Sequence, residues 1–253
     1  MAEWLQQFAP NVVEKFPELI ESFWQTLVMM GGSGVISFFF GLIFGVALIV
    51  TRPGGVLQNG LIYGLLDKAV NLFRSIPFII LIAALIPLTR LVSGTAIGTR
   101  GAILPLVFGT VPFFTRQVES ALAELDHGLI EAAQSMGSSP WEIIFRVYLR
   151  ESIPGIVRAT TITVISLIGL TAMAGVVGGG GLGDFAIRYG HQRNQVDITF
   201  ATVIIILAMV SLFQGLGNLI IRRTSHSGTH PVKSPLLPLV FHRPVSPFSS
   251  SAK

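Results

Sequence analysis

Five long stretches of this chain carry no charged residue: 22–51, 75–89, 101–115, 159–183 and 198–221. The first, fourth and fifth, at 30, 25 and 24 residues, are long enough for a hydrocarbon core that needs about 20 residues of helix. Charged residues make up 12% of the whole, against roughly 25% in an ordinary soluble domain. A soluble fold around a single core is therefore excluded.

The two 15-residue stretches alone reach only about 22 Å, short of a ~30 Å core. Arg74 and Arg90 bracket one, and Arg100 and Arg116 bracket the other. Arginines at both ends can snorkel to the headgroups and lengthen each span. Val70, Leu72 and Phe73 extend the second span further. The expectation is an all-α integral membrane protein with five transmembrane helices.

An odd number of spans puts the termini on opposite faces. With the N-terminus outside, twelve Lys and Arg lie inside and five (Lys15, Arg90, Arg100, Arg188, Arg193) lie outside. The positive-inside rule favours that sense, with a cytoplasmic C-terminus. Residues 1–22 hold Glu3, Glu14, Glu18 and Glu21 against Lys15, unlike the positive start of a secretory signal. They read as an external amphipathic segment at the interface. The pI near 9.9 reflects bases at span ends and in the tail, so the bilayer is the expected partner rather than nucleic acid. Absent cysteine removes disulfides and thiolate chemistry.

The transmembrane domain is bounded at 23–223. Span 1 holds a Gly41-x-x-x-Gly45 pair, which permits close helix approach but carries little weight in a chain with 27 glycines. Thr51-Arg52-Pro53-Gly54-Gly55 stops it. An amphipathic helix over 61–71 leads to span 2, whose Pro77 and Pro87 lie near its ends. Pro105 and Pro112 should bend span 3. Span 4 carries Thr160, Thr161, Thr163, Ser166 and Thr171, whose hydroxyls either bond back to their own helix or line a wet path. Glycines 178–181 and 183 break it, and 184–197 form the last outside loop. The Ser-, Pro- and His-rich tail 224–253 reads as disordered, and its His226, His230 and His242 as non-metal-binding.

Gly178-x-Gly180-x-x-Gly183 matches a dinucleotide fingerprint by letter but follows a membrane helix rather than a strand, so the match is spurious. None of Lys15, Lys68, Lys233 and Lys253 follows a glycine, so the chain has no phosphate loop of its own. Asp and Glu avoid all five stretches, which argues against a carboxylate-based proton-coupled carrier. His127 has no nucleophile to serve, and no catalytic residue is assigned. An enzyme is the weak reading, and the chain is expected to bind no cofactor or metal itself.

The inside loop, 126–150, is the most specific segment. Helix formers over 129–136 stop at Gly137, a natural residue just beyond a helix C-terminus. A second helix should start at once, with Ser139 as N-cap, Pro140 at the first position and Glu142 closing a capping box. Ala132 and Ala133 keep one face low, so another protein can approach closely. Two short helices then form a stiff knob.

Glu131-Ala132-Ala133, three residues, Gly137, nine residues, then Val147 and Leu149 resembles the EAA loop of ATP-binding-cassette importer permeases, with Arg150 where that pattern has proline. The segments 51–54, 71–80, 128–132 and 172–183 are similar to the methionine-importer permeases, over residues 22–223. The resemblance implies a bacterial inner-membrane homodimer pairing with ATPase subunits, which use the ATP and magnesium. It also implies a periplasmic or lipid-anchored substrate-binding protein. In such permeases the loop inserts into the ATPase, which here implicates Glu131, Ala132, Ala133, Gly137, Pro140 and Trp141. Span 4's polarity and family position implicate Thr163, Ser166, Thr171 and Met173 in the pathway. A permease for another amino acid or small solute, an ATP-independent secondary transporter or channel, and a membrane enzyme are the alternatives.

Overall fold

The computed structural model describes residues 8–224, which form helices and connecting turns with no strand among them. Short α1 (Pro10–Glu14) precedes α2 (Phe16–Thr51), α3 (Gly60–Ser75), α4 (Phe78–Ala84), α5 (Ile86–Ser93), α6 (Gly98–Ala123) and α7 (His127–Ser135). Then α8 opens as Pro140–Glu142, widens into a π-helical turn over Ile143–Tyr148 and ends as Leu149–Glu151. Helix α9 (Ile153–Ala174) runs into a π turn, Gly175–Gly179; α10 (Gly181–Phe185) continues as the turn Ala186–His191; and α11 (Val196–Thr224) closes the described chain. Among the described residues, α2, α9 with its π turn, and α11 are the three helices long and apolar enough to cross a membrane. They correspond to the first, fourth and fifth charge-free stretches.

Close approaches fix the helix directions. An added Cβ at Gly32 would meet Ile103, at Gly41 Phe114, and at Gly45 Val118, so α2 and α6 run parallel. Between them, α3 to α5 return antiparallel to α6, with Asp67 beside Arg116, Phe73 beside Phe108 and Phe78 against Gly109. Helix α9 runs antiparallel to α6, Gly155 meeting Ala121 and Leu170 meeting Gly109. Helix α11 is antiparallel to α9, because Gly217 seats Thr161 and Phe213 lies with Val164.

The Gly41/Gly45 pair, discounted on frequency, is the central contact: a Cβ at either would lie 2.6 Å from Phe114 or Val118. Losing both side chains lets the two backbones close up and gain dispersion contacts. The helix periods divide the buried side chains into two clusters. One, towards the start of α2, joins Met29, Leu106, Leu167, Leu182, Phe185 and Ile198. The other joins Ile49, Val50 and Val118 to Ile130, Ala133, Ile143 and Tyr148 of the α7–α8 knob.

Several expectations change. Helix α2 has 36 residues, about 54 Å at 1.5 Å per residue, and starts at Phe16 rather than beyond residue 22. Pro17 suits its first turn, where no amide partner is needed. The N-terminal segment does not stand apart: Asn11 donates its backbone and side-chain amides to Asp197, each at 3.0 Å, tying α1 to the start of α11. Span 2 is not one helix. Pro77 forces Ile76 into extended backbone (φ −85°, ψ 123°), and a second break falls at Leu85, before Pro87. The amphipathic helix runs to Ser75 and takes Leu72, Phe73 and Arg74 with it. Span 3 keeps its place, with Pro105 and Pro112 inside one helix, α6, of 26 residues. Residues 184–197 are not an open loop, since they begin within α10, whose Leu182 and Phe185 are buried. The readings of the tail beyond Thr224 lie outside the described residues.

Candidate functional site

The knob is built by two local signals. Asp126 caps α7 by accepting the Gly128 amide at 2.9 Å, a cap the sequence also offers and the loop reading missed. At the other end Gly137 takes φ +80°, donating to Gln134 carbonyl at 2.9 Å while Ser138 donates to Ala133 carbonyl at 3.1 Å. These two bonds make a Schellman ending, which satisfies carbonyls the helix leaves free. Ser139 then caps α8: its hydroxyl accepts the Glu142 amide, and its own amide donates to the Glu142 carboxylate at 3.0 Å. The Ser139 amide first, and its hydroxyl next, hold the Glu142 carboxyl below its ordinary pKa. Pro140 occupies the first turn, as its spacing predicts.

Beyond Glu142 the expected second helix departs from α geometry. A π turn widens it over 143–148, which lets Ile143, Ile144 and Tyr148 all reach the inner cluster. Ala132 and Ala133 do not share a surface: Ala132 is exposed, and Ala133 packs into the knob's own core. Glu131 is exposed as well. The outer surface of the knob is apolar to an unusual degree for a loop, with Met136 79%, Trp141 64% and Phe145 63% exposed. Trp141 stacks on Phe145, with centroids 6.4 Å apart and planes at 22°. Met136 and Phe145 were missed at the sequence level, although Trp141/Phe145 is an i, i+4 pair. Exposed apolar patches mark sites of contact with other proteins or with the membrane.

Span 4 divides its polar residues between two faces. Thr160, Thr161 and Thr163 donate to the carbonyls of Ile156, Val157 and Ala159 at 2.8–2.9 Å, and Thr171 donates to Ile168 at 2.7 Å. Thr163 and Thr171 are buried within the single chain, and Thr163 borders an apolar cavity of about 340 Å³ with its hydroxyl turned to its own helix. Ser166 is half-buried and Met173 exposed, and with Ile162, Gly169 and Val176 they form one stripe along the helix that the described residues leave largely uncovered.

The far end of the bundle carries the glycine break. A Cβ at Gly175 would lie 2.4 Å from the Asp184 amide nitrogen, and one at Gly183 would lie 2.2 Å from the Ala172 carbonyl oxygen. Gly178, Gly180 and Gly181 have positive φ. The amides of Gly181 and Leu182 donate to the Gln25 side-chain oxygen and the Thr26 hydroxyl at 2.8 and 2.9 Å. The break is therefore a tight hairpin docked on α2. Beside it opens a polar cleft of about 410 Å³ bordered by Glu18, Glu21, Gln25, Thr99, Asp184 and Arg188. The Tyr189 hydroxyl donates to Glu18 at its edge.

A parallel and antiparallel array of apolar helices, with an apolar knob at one end and a polar cleft at the other, defines a helical membrane protein. The family model of binding-protein-dependent transport system inner membrane components matches residues 37–226. The chain belongs to that family. It is 46% identical over 208 residues to the probable D-methionine transport system permease protein MetI of Vibrio cholerae, covering 82% of this chain and 92% of that one. The methionine import system permease protein MetP of Bacillus subtilis is 42% identical over 215 residues, with 85% and 96% covered. Among solved structures, a chain of the inward-facing MetNI methionine ABC transporter superposes with TM-score 0.80 at 42% identity, covering 88% of this chain and 99% of that chain. An amino acid ABC transporter crystallised with histidines shares the fold, with TM-score 0.70 at 19% identity.

Proposed function

We propose that this chain is the membrane-spanning permease subunit of an ATP-driven methionine importer in a bacterial inner membrane. The observation that carries the reading is the likeness to the MetNI transporter chain, at 42% identity over nearly its whole length. The names of the Vibrio and Bacillus relatives support methionine over another amino acid.

The alternating helix directions support five crossings, with α3 to α5 making the second as a broken helix. The excess of Lys and Arg on the α7–α8 side supports a cytoplasmic knob and an external N-terminus. A partner ATPase, which binds the ATP and magnesium, would take the knob in a cleft. Gly137 and Pro140 shape it, Glu131 and Ala132 line its polar side, and Trp141 with Met136 and Phe145 provides its apolar contact. Ala133 acts from within, holding α7 against α8. The stripe of Ser166 and Met173 would face a second copy of the chain, the pathway running along the axis between them. Thr163 and Thr171 would stiffen the helix that bears this stripe. The polar cleft beside the glycine hairpin would receive a periplasmic or lipid-anchored binding protein. ATP-driven closure of the ATPase pair would then move the knobs, and with them the helices, between two states.

Reconstitution of the chain with its ATPase and binding protein tests this reading. Labelled methionine should accumulate only with ATP, and excess unlabelled methionine should compete better than other amino acids. Gly137→Val forces a β-branched residue into φ +80°, a strain of roughly 1–3 kcal/mol. Uptake should fall well below the rate of ATP hydrolysis. Normal coupling in that variant, or flux through vesicles holding this chain alone, overturns the assignment.

A further inference from the structure

Arg74 is a charge at an unexpected depth. The sequence places it at the inner end of span 2, but the helix carrying it continues past that level. The neighbouring Phe73 ring lies 5.6 Å from Phe108, and Phe78 lies against Gly109. Phe108 is the middle residue of the charge-free run 101–115 of α6. It stands eight residues from Arg116, about 12 Å outward at 1.5 Å per residue. Arg74 therefore sits midway through the bundle, one turn before the break at Pro77.

Its surroundings leave it unneutralised. Asp67, Asn71 and Arg74 follow at i, i+4 and i+7 on one stripe of α3. Arg116 engages the first two, Asp67 in an ion pair and Asn71 at 3.0 Å, and takes Glu119 as well. Two arginines thus share two acids, and both acids belong to Arg116. Arg74 is exposed, and its guanidinium pairs with no described residue. A charge at that depth faces protein or water rather than acyl chains. The adjoining break in the backbone points the same way, because non-helical backbone at membrane depth is confined to protein interiors and wet cavities.

We infer that Arg74 lines the aqueous pathway and binds the carboxylate of the amino acid in transit. This rests on the permease reading above. A guanidinium offers two parallel N–H donors to a carboxylate, and an unpaired one at mid-depth gives a zwitterionic solute a way-station for its anionic end. The thioether needs no such partner and can rest on the apolar walls.

The absence of cysteine from the chain makes the test clean. Arg74→Cys is made in the full complex, with partner thiols replaced, and treated with water-soluble methanethiosulfonates carrying ethylammonium or ethylsulfonate. The introduced thiol should react with both. Methionine uptake should recover partly with the cation and not with the anion. Arg74→Gln should lose on the order of tenfold or more in uptake, the worth of one hydrogen bond to a charged group, and Arg74→Lys should lose less. An unreactive thiol, equal rescue by both reagents, or wild-type uptake by Arg74→Gln overturns the inference. So does a defect that disappears in vesicles of wholly zwitterionic lipid, since the arginine's partner would then be an anionic headgroup. If the wild-type complex itself takes up no methionine, the permease reading fails instead.

Discussion

At the end of the bundle that the proposed topology makes outer, Gly175, Gly179 and Gly183 fold the chain back where no side chain fits, and at the end it makes inner Gly137 turns the chain where nothing stands nearby. The outer corner is tertiary: other backbone presses on each glycine, and side chains of α2 supply the missing hydrogen-bond partners. The inner corner is local, made of a Schellman ending and a capping box that close within twelve residues of sequence. A corner held by distant parts can stiffen or yield with the whole bundle. A corner held by its own residues can be gripped from outside and moved as a unit.

That contrast can be broken experimentally, beginning with the largest effect. Gly183→Ala sets a Cβ 2.2 Å from a carbonyl oxygen that cannot swing away, and should cost ~3 kcal/mol. The purified complex should melt lower and yield less folded protein; unchanged melting would mean the outer corner is loose. Thr26→Val strips the buried Leu182 amide of its acceptor and should cost about 1–3 kcal/mol, which Thr26→Ser should largely restore. Ser139→Ala removes the inner cap, worth about 1 kcal/mol, and its effect should stay local. Amide exchange at 140–145 should quicken while the melting of the bundle holds; a global shift would join the two corners into one unit.

The smallest effect is on pH. Because the folded Glu142 carboxyl titrates below its ordinary range, it lends stability to the knob above that range. The contribution fades as pH falls through the lowered value, where the carboxyl protonates. Protection of the α8 amides, taken relative to the intrinsic exchange rate at each pH, should therefore fall on acidification in the wild type and change less in Glu142→Gln.

The inner corner was largely legible in advance because its determinants are neighbours in sequence. Ser139, Pro140 and Glu142 announce a helix start, and Gly137 an ending, without reference to anything else. What the sequence could not convey was which of two alanines turns inward, because the π turn of α8 depends on tertiary packing. Long-range pairings were equally hidden. Arg116 looked like a headgroup anchor, yet it is half-buried and pairs with Asp67, 49 positions earlier. The Gly41/Gly45 pair gained meaning only when Phe114 and Val118 were found opposite it. Span 4's threonines were ambiguous for a related reason: a hydroxyl that bonds to its own helix and one that faces water have the same letters.

Helix α2 touches both corners. Near its start, Gln25 and Thr26 hold the glycine hairpin; near its end, Ile49 and Val50 are buried with the side chains that seat the knob. A continuous rod some 54 Å long between them behaves as a strut, so displacement imposed on one tip arrives at the other as translation or tilt, not as bending spread along the way. In the importer we propose, opening on one side of the bilayer and shutting on the other would then be two readings of a single movement.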